Sequence, residues 1–469
     1  VIGLGLGVLS VVALSLPPKW SGALVLAVIA PVVVLLVRDL KKLVLVAIIV
    51  TMPSGFDVSI LNRTEHQGGP GGYVVSLLTF ALIAGYVMWI TERPKTSVRS
   101  FKPMTFPLLA FILLALISVF QSVDSTYSLA ALFLLIQAFL MYFYIVNHVT
   151  TWDDFRLIIN VIAACLALEG VLMALQYFTG LSLSFAGVSS HSLYDASESV
   201  SGIRVGGTFG SSNGASIWLT SALAITMGAY LLYSHLKLRG RHLLLLAFLL
   251  GTVGLLVTFS RSGWISFALA MLILGALAIK RDIATTSLIL MVLIAFVIGG
   301  LSSDLIVRRF TGDDQGSAAG RRIYAEMAFK MIDDHPLGVG INNFDERKMR
   351  YLPVELFGQP SKWVYVVHNH YLLVWAEMGL QGLVALVVVL LAAIAHGISG
   401  MVRQTDPRGY MISTSLLAAL IGYSLHMASD IFSWPETVLL LWLVIALITA
   451  ANNLSSGLSP GGQGASTSS

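Results

Sequence analysis

The chain has 469 residues, of which 57% are hydrophobic and only 11% charged, and its mean hydropathy is +0.85. A water-soluble globular domain has about a quarter of its residues charged, so that class is excluded and an all-α polytopic membrane protein is expected. The net charge of +4 comes from loops scattered along the chain, and the single cysteine, Cys165, sits within an apolar run, which excludes an internal disulfide or a thiolate metal cluster.

Fourteen apolar segments fall at about 1–16, 20–37, 43–52, 71–90, 104–120, 127–147, 157–178, 213–234, 242–259, 263–279, 283–299, 371–395, 411–429 and 434–451. A helical span needs roughly 20 residues, so the first and third are short. The third ends at Pro53 and is expected to be a tilted, broken or re-entrant piece. The expectation is therefore 12–14 transmembrane helices, with no intact signal peptide and a few native residues missing ahead of Val1. Four parts follow: an N-terminal transmembrane bundle (1–299), an external loop subdomain (300–370), C-terminal transmembrane helices (371–451) and a Ser/Gly-rich tail (452–469) expected to be disordered.

Lys and Arg give the orientation. Arg38, Lys41 and Lys42 follow the second segment, Arg93, Lys95, Arg99 and Lys102 the fourth, and Arg156 the sixth. Lys237, Arg239 and Arg241 follow the eighth, Lys280 and Arg281 the tenth, and Arg403 and Arg408 the twelfth. Every second connection is basic, which predicts that those loops and both termini are cytoplasmic. The opposite connections, 53–70, 179–212, 260–262 and 300–370, then share the external face and bring Arg204, Arg261 and His368 to it.

The external segment of 71 residues balances nine Lys/Arg against nine Asp/Glu, so it is no polybasic surface for nucleic acid. Ile323, Met327, Lys330 and Met331 recur at helical spacing, which predicts one or two short helices over the membrane mouth. Arg321 and Arg322 lie near the helix start, as interfacial anchors or contacts for an anionic ligand. A turn punctuated by Pro and Gly, HPLGVGINNF, comes next.

Arg261 sits between VTFS and SGWISFALAM, where two spans meet with almost no loop to float it in water. Such a guanidinium either snorkels to headgroups and loop carbonyls or meets an anion, and its two-pronged donor geometry suits phosphate oxygens. Arg204 lies in IRVGGTFGSSNG, whose glycines permit close backbone approach and whose Ser211 or Ser212 can cap the following helix. An ordinary tight turn and a ligand loop remain the two readings there, and no nucleotide-binding motif is present.

The stretch SKWVYVVHNHYLLVWAEMGLQG, residues 361–382, places His368, Asn369 and His370 at the mouth of a span. An imidazole can take a proton from an alcohol near neutral pH, and the alternatives are a structural hydrogen bond or a metal ligand. No compact HxxxH or DxD group stands nearby, so no metal and no cofactor is expected. Residues two apart on a helix point about 200 degrees apart, so His368 and His370 cannot share one compact pocket if the turn is helical. Glu377, nine residues beyond His368, would lie about 13 Å deeper along a helix and is expected to be paired inside the bundle.

His368-Asn369, nine intervening residues, Gly379, two residues and Gly382, together with RVGGTFGSSN, TFSRSG and HPLGVGINNF, resemble the family of O-antigen ligases, Wzy polymerases and bacterial O-linked oligosaccharyltransferases. The likeness spans residues 200–382. It implies transfer of a glycan from undecaprenyl diphosphate on the periplasmic side of the bacterial inner membrane, with membrane lipids around the site. His368 is implied as the essential base, Arg204 and Arg261 as catalytic diphosphate contacts, and Arg321, Arg322 and Asn369 as substrate-binding residues. The apparent departure is fourteen apolar segments where the family has about twelve, which bears on the short segments and not on the site.

Under that resemblance, His368 deprotonates or orients a sugar hydroxyl that attacks the donor's anomeric carbon with inversion. Arg204 and Arg261 stabilise the departing diphosphate. A ligase acting on a lipid A-core acceptor is favoured over a polymerase of lipid-linked repeats, a protein O-oligosaccharyltransferase, or a transporter of the lipid-linked glycan. A transporter should carry charge at mid-membrane along both access routes, whereas the charges here cluster on one side.

Overall fold

The computed structural model describes residues 39–54, 57–91, 103–180, 184–185, 188–189, 192–193, 204–209, 211–283, 307, 317–353 and 366–455. The apolar segments expected at 1–16 and 20–37, that at 283–299 apart from Ile283, the basic residues 93–102 and the tail beyond 455 lie outside the described residues.

In chain order the elements are α1 (Leu40–Ser54), β1 (Asp57–Ile60), β2 (Tyr73–Ser76), α2 (Leu77–Thr91), α3 (Thr105–Val119), α4 (Ser125–His148) and α5 (Trp152–Thr179). Four two-residue strands follow, and in the second pair Ser192–Leu193 lies antiparallel to Arg204–Val205. Then come α6 (Ser212–His235), α7 (Arg241–Val257), α8 (Arg261–Lys280), α9 (Ser317–Asp334), α10 (Phe344–Lys348), α11 (His370–Arg403), α12 (Pro407–His426) and α13 (Pro435–Ser455). Helices α4, α5, α6, α8, α11 and α13 are long and apolar enough to cross a membrane, and α2, α3 and α7 are shorter apolar helices. The chain is an all-α polytopic membrane protein.

Two boundaries differ from the sequence reading. The segment expected as one span at 71–90 begins as a strand, because Tyr73, Val74 and Val75 are β-formers that find a ready partner in Asp57–Ile60. Helix α2 starts only at Leu77. At the other end, α13 runs four residues into the expected tail, and Asn452 is buried there, its side-chain amide donating to the His396 carbonyl at 3.2 Å.

Helix α6 lies at the centre, its best 18-residue window fully buried. It packs against α7 and α12, while α5 packs on α7, α13 on α4, and α11 on α3 and α12. Helices in lipid associate through close packing, which small residues permit. At the α5–α7 crossing a methyl on Gly170 would stand 2.3 Å from the Leu250 carbonyl oxygen, and one on Gly254 would stand 3.2 Å from the Gly170 Cα. At the α6–α12 contact, Gly228 faces Ser415 with similar closeness.

The connections expected to be external gather at one end of the bundle. Arg63 pairs with Asp124, Asp124 N donates to Asn343 Oδ1 at 2.8 Å, and Asn342 Nδ2 donates to the Pro70 carbonyl at 2.9 Å. Basic residues mark the other end, where Lys41 pairs with Asp154 at 2.8 Å and Arg281 lies over the Tyr410 ring at 4.8 Å.

Helix α11 is broken at Gly379 (φ 72°, ψ −178°), a left-handed conformation that glycine alone adopts without strain. The break withdraws donors from the preceding turn, and HPLGVGINNF supplies replacements: Val339 N donates to Ala376 O at 3.2 Å and Gly340 N to Glu377 O at 2.8 Å. Glu377 is buried and accepts from Asn342 N at 2.8 Å and Phe344 N at 3.0 Å. Its role is therefore to hold the start of α10, in agreement with the expectation of a partner inside the bundle.

Candidate functional site

Asn369 caps α11, its side-chain oxygen accepting from Leu372 N at 3.1 Å. This cap fixes the two histidines on opposite courses. His368, just outside the helix, has its Nδ1 3.2 Å from Asp430 Oδ1. His370, the first helical residue, turns inward, its ring centroid 6.0 Å from that of Phe432 and its Nδ1 buried without a hydrogen bond. His370, Glu377, Tyr423 and Phe432 line an apolar recess of about 660 Å³, its open side included. The two imidazoles thus face different surroundings; His368 lies outside the helix, so it is the extended Asn369 cap (φ −158°, ψ 107°) and not helical spacing that separates them.

Asp430 stands in the turn between α12 and α13, a position the sequence reading passed over. Burial works to raise its carboxyl, but the His368 hydrogen bond, the charges of His368 and His426 and the Ile431 N–H hold it below the usual carboxylate range. An ionised Asp430 accepts from Nδ1–H and so places the imidazole lone pair on Nε2. His426, the last residue of α12, lies close to the same carboxylate, and the charge of Arg321 also acts on it. Of the adjacent pair on α9, Arg321 is near enough for its charge to act on His426, whereas Arg322 is engaged by Glu326 of its own helix at 2.9 Å.

The other two arginines meet at the α7–α8 turn. Arg204 donates from Nε to Thr258 O at 3.1 Å and from a terminal nitrogen to Asn213 Oδ1 at 2.8 Å. Its loop is pinned to α5, where Gly207 N donates to Gln176 Oε1 at 3.2 Å and Thr208 N to Glu169 Oε2 at 3.2 Å. Ser211 caps α6, accepting from Gly214 N at 2.9 Å. Arg261 opens α8 after Phe259, which adopts φ 51°, an unusual left-handed conformation for an aromatic residue. Ser260 caps that helix, accepting from Gly263 N at 3.3 Å.

Helix α12 connects the two groups. It runs antiparallel to α8, since Tyr410 Oη donates to Leu277 O while Gly422 faces Ser266. Arg261 lies five residues before Ser266 and His426 four residues beyond Gly422, so both reach about 6–8 Å past that contact, to the same level. His368 joins them because His370 N donates to Met427 O at 2.8 Å. The structure thus gathers a His-Asp pair, a second histidine and arginines from three separate elements at one end of the bundle. Asp430 and His426 were legible only as an acid in a short turn between apolar runs and a histidine at a span end. A separate group with metal-ligand chemistry, His66, Asp345 and Glu346, lies at the same end.

This arrangement can take a proton at an imidazole and hold anionic groups beside it. A comparison with curated proteins gives no match. Residues 246–387 match the family model described as O-antigen ligase, a range from α7 to the middle of α11 that contains Arg261, Arg321, His368 and the Gly379 break. The likeness covers these 142 residues, about a third of the chain, and it supports the O-antigen ligase family as what this part of the chain is similar to.

Proposed function

We propose that the chain is an O-antigen ligase that moves a glycan from undecaprenyl diphosphate to a lipid A-core acceptor at the periplasmic face of the inner membrane. The observation that carries this reading is the His368–Asp430 pair at a bundle end also occupied by Arg204, Arg261 and Arg321. Asp430 holds Nδ1–H, so Nε2 takes the proton of an acceptor sugar hydroxyl as its oxygen attacks the anomeric carbon. The bond from that carbon to the diphosphate oxygen breaks, the electron pair leaves with the diphosphate, and configuration inverts. Asp430 stabilises the imidazolium that forms, and the arginines stabilise the charge gathering on the leaving group. Asn369 contributes the cap that aims His368 and also borders the substrate. Arg322, engaged by Glu326, is the weaker substrate contact of the α9 pair. The C-terminus and the basic loops face the cytoplasm, by the bias of Lys and Arg.

A purified-protein assay with lipid-linked repeats, with and without lipid A-core, tests the choice of acceptor. Core-linked glycan is the expected product. Longer lipid-linked chains with no core product would replace the ligase reading with a polymerase one.

A further inference from the structure

His66 is buried, with its ring stacked on Tyr127 at 3.9 Å between centroids. Its tautomer is set by Asn342. The Asn342 amide nitrogen donates to Pro70 O at 2.9 Å and Tyr127 O at 3.2 Å, so its oxygen faces His66 Nε2 at 2.8 Å and accepts from Nε2–H. In the neutral ring the lone pair then sits on Nδ1, which is buried and has no hydrogen-bond partner. That lone pair points at two carboxylate oxygens, Asp345 Oδ2 at 3.7 Å and Glu346 Oε1 at 3.8 Å. Three electron-rich atoms facing one another repel unless a cation lies between them.

The distances are too long for hydrogen bonds, yet they suit ligands of one ion. Zinc bonds to imidazole nitrogen and carboxylate oxygen run to about 2.0–2.2 Å, which separates neighbouring ligand atoms by roughly 3.4–3.8 Å at angles somewhat wider than tetrahedral. The ring nitrogen opposite the metal held by an amide oxygen is the usual outer-shell support for a ligating histidine. Gln67 N donates to Asp345 Oδ2 at 2.9 Å, and Lys348 pairs with the other Asp345 oxygen. Lys348 offsets one negative charge, leaving the second for the ion. The Glu346 side chain is 34% exposed and gives the ion a way in.

We infer that His66, Asp345 and Glu346 bind a divalent transition-metal ion of the zinc class, which clips the 61–70 loop to α10. Residues 66 and 345 are far apart in sequence, so the set is invisible to local ligand patterns. The clip bears on the proposed site from behind. A methyl on Gly68 would stand 2.6 Å from a Val366 side-chain carbon, and one on Gly69 would stand 3.4 Å from Ser433 Cβ, so the loop supports both the segment leading to His368 and the turn holding Asp430.

The test uses the full chain without a polyhistidine tag, purified in detergent, stripped with chelator and titrated with Zn(II) at neutral pH by calorimetry. Melting temperature is followed with and without the ion, and Co(II) absorption reports the ligand field. The expected results are one saturable equivalent, a tetrahedral-type Co(II) spectrum and a melting temperature several degrees higher with Zn(II). Glu346→Gln should keep the metal-free melting temperature while weakening Zn(II) at least about tenfold, and His66→Gln should weaken it further. No saturable equivalent, or an affinity unchanged in Glu346→Gln, would overturn the site. Because these readouts do not involve transfer, they stand or fall separately from the proposed reaction.

Discussion

Asp430→Asn keeps the volume of the side chain and removes its charge beside His368. The two groups are 3.2 Å apart and the Asp430 side chain is 6% exposed, so little solvent screening intervenes. A hydrogen bond to a charged partner contributes about 1.5–3 kcal/mol, which corresponds to roughly a 10- to 150-fold loss of rate when it matters only as the imidazolium forms. An asparagine that presents its N–H₂ to Nδ1 would also favour the wrong tautomer and push the loss to the upper end of that range. Single-turnover transfer with labelled lipid-linked donor measures the chemical step, and donor binding is measured separately on the same folded preparation. Because the two residues act as a unit, Asp430→Asn added to His368→Ala should cost little beyond His368→Ala alone. A single-mutant rate within about twofold of the parent, or a fall explained entirely by weaker donor binding, would refute the pairing.

Arg261→Lys keeps a point charge but loses the two-pronged donor geometry, so it should fold normally and lower both donor affinity and transfer. Normal affinity and turnover would make Arg261 an anchor of the α7–α8 turn. Cysteine-accessibility mapping should label residue 95 only from the cytoplasm and residue 350 from the periplasm, and the reverse pattern would remove the proposed active face. Glu377→Gln replaces one acceptor facing two backbone N–H groups by a donor, which should cost about 1–3 kcal/mol and lower the melting temperature in detergent. An unchanged melting temperature would show that the α10 start does not depend on that carboxylate.

Most membrane helices were legible because their apolar runs stand out against polar turns, and the helix bounds of α4, α6 and α8 fall within two residues of the expected segments. The run at 71–90 misled because hydropathy does not separate a β-branched strand from the helix that continues it. What lay beyond the sequence was pairing across the chain. Asp430 meets His368 only because α12 returns alongside α11, and an acid between apolar runs carries no mark of that partner. Glu377 was placed correctly inside the bundle, but its partners are backbone groups of Asn342 and Phe344, which no side-chain pattern announces. The divergence of His368 and His370 was expected only for a helical turn, whereas the structure separates them through the extended Asn369 cap, with His368 outside the helix.

The measurement that bears most directly on the central claim is single-turnover transfer by His368→Ala, with matched folded-protein controls and independent donor binding. The account predicts a loss of about 100-fold or more, within the range of general-base removal, while the lipid-linked donor binds as tightly as before. Near-normal transfer would contradict the assignment of His368 as the base, and a loss confined to donor binding would make it a diphosphate contact instead.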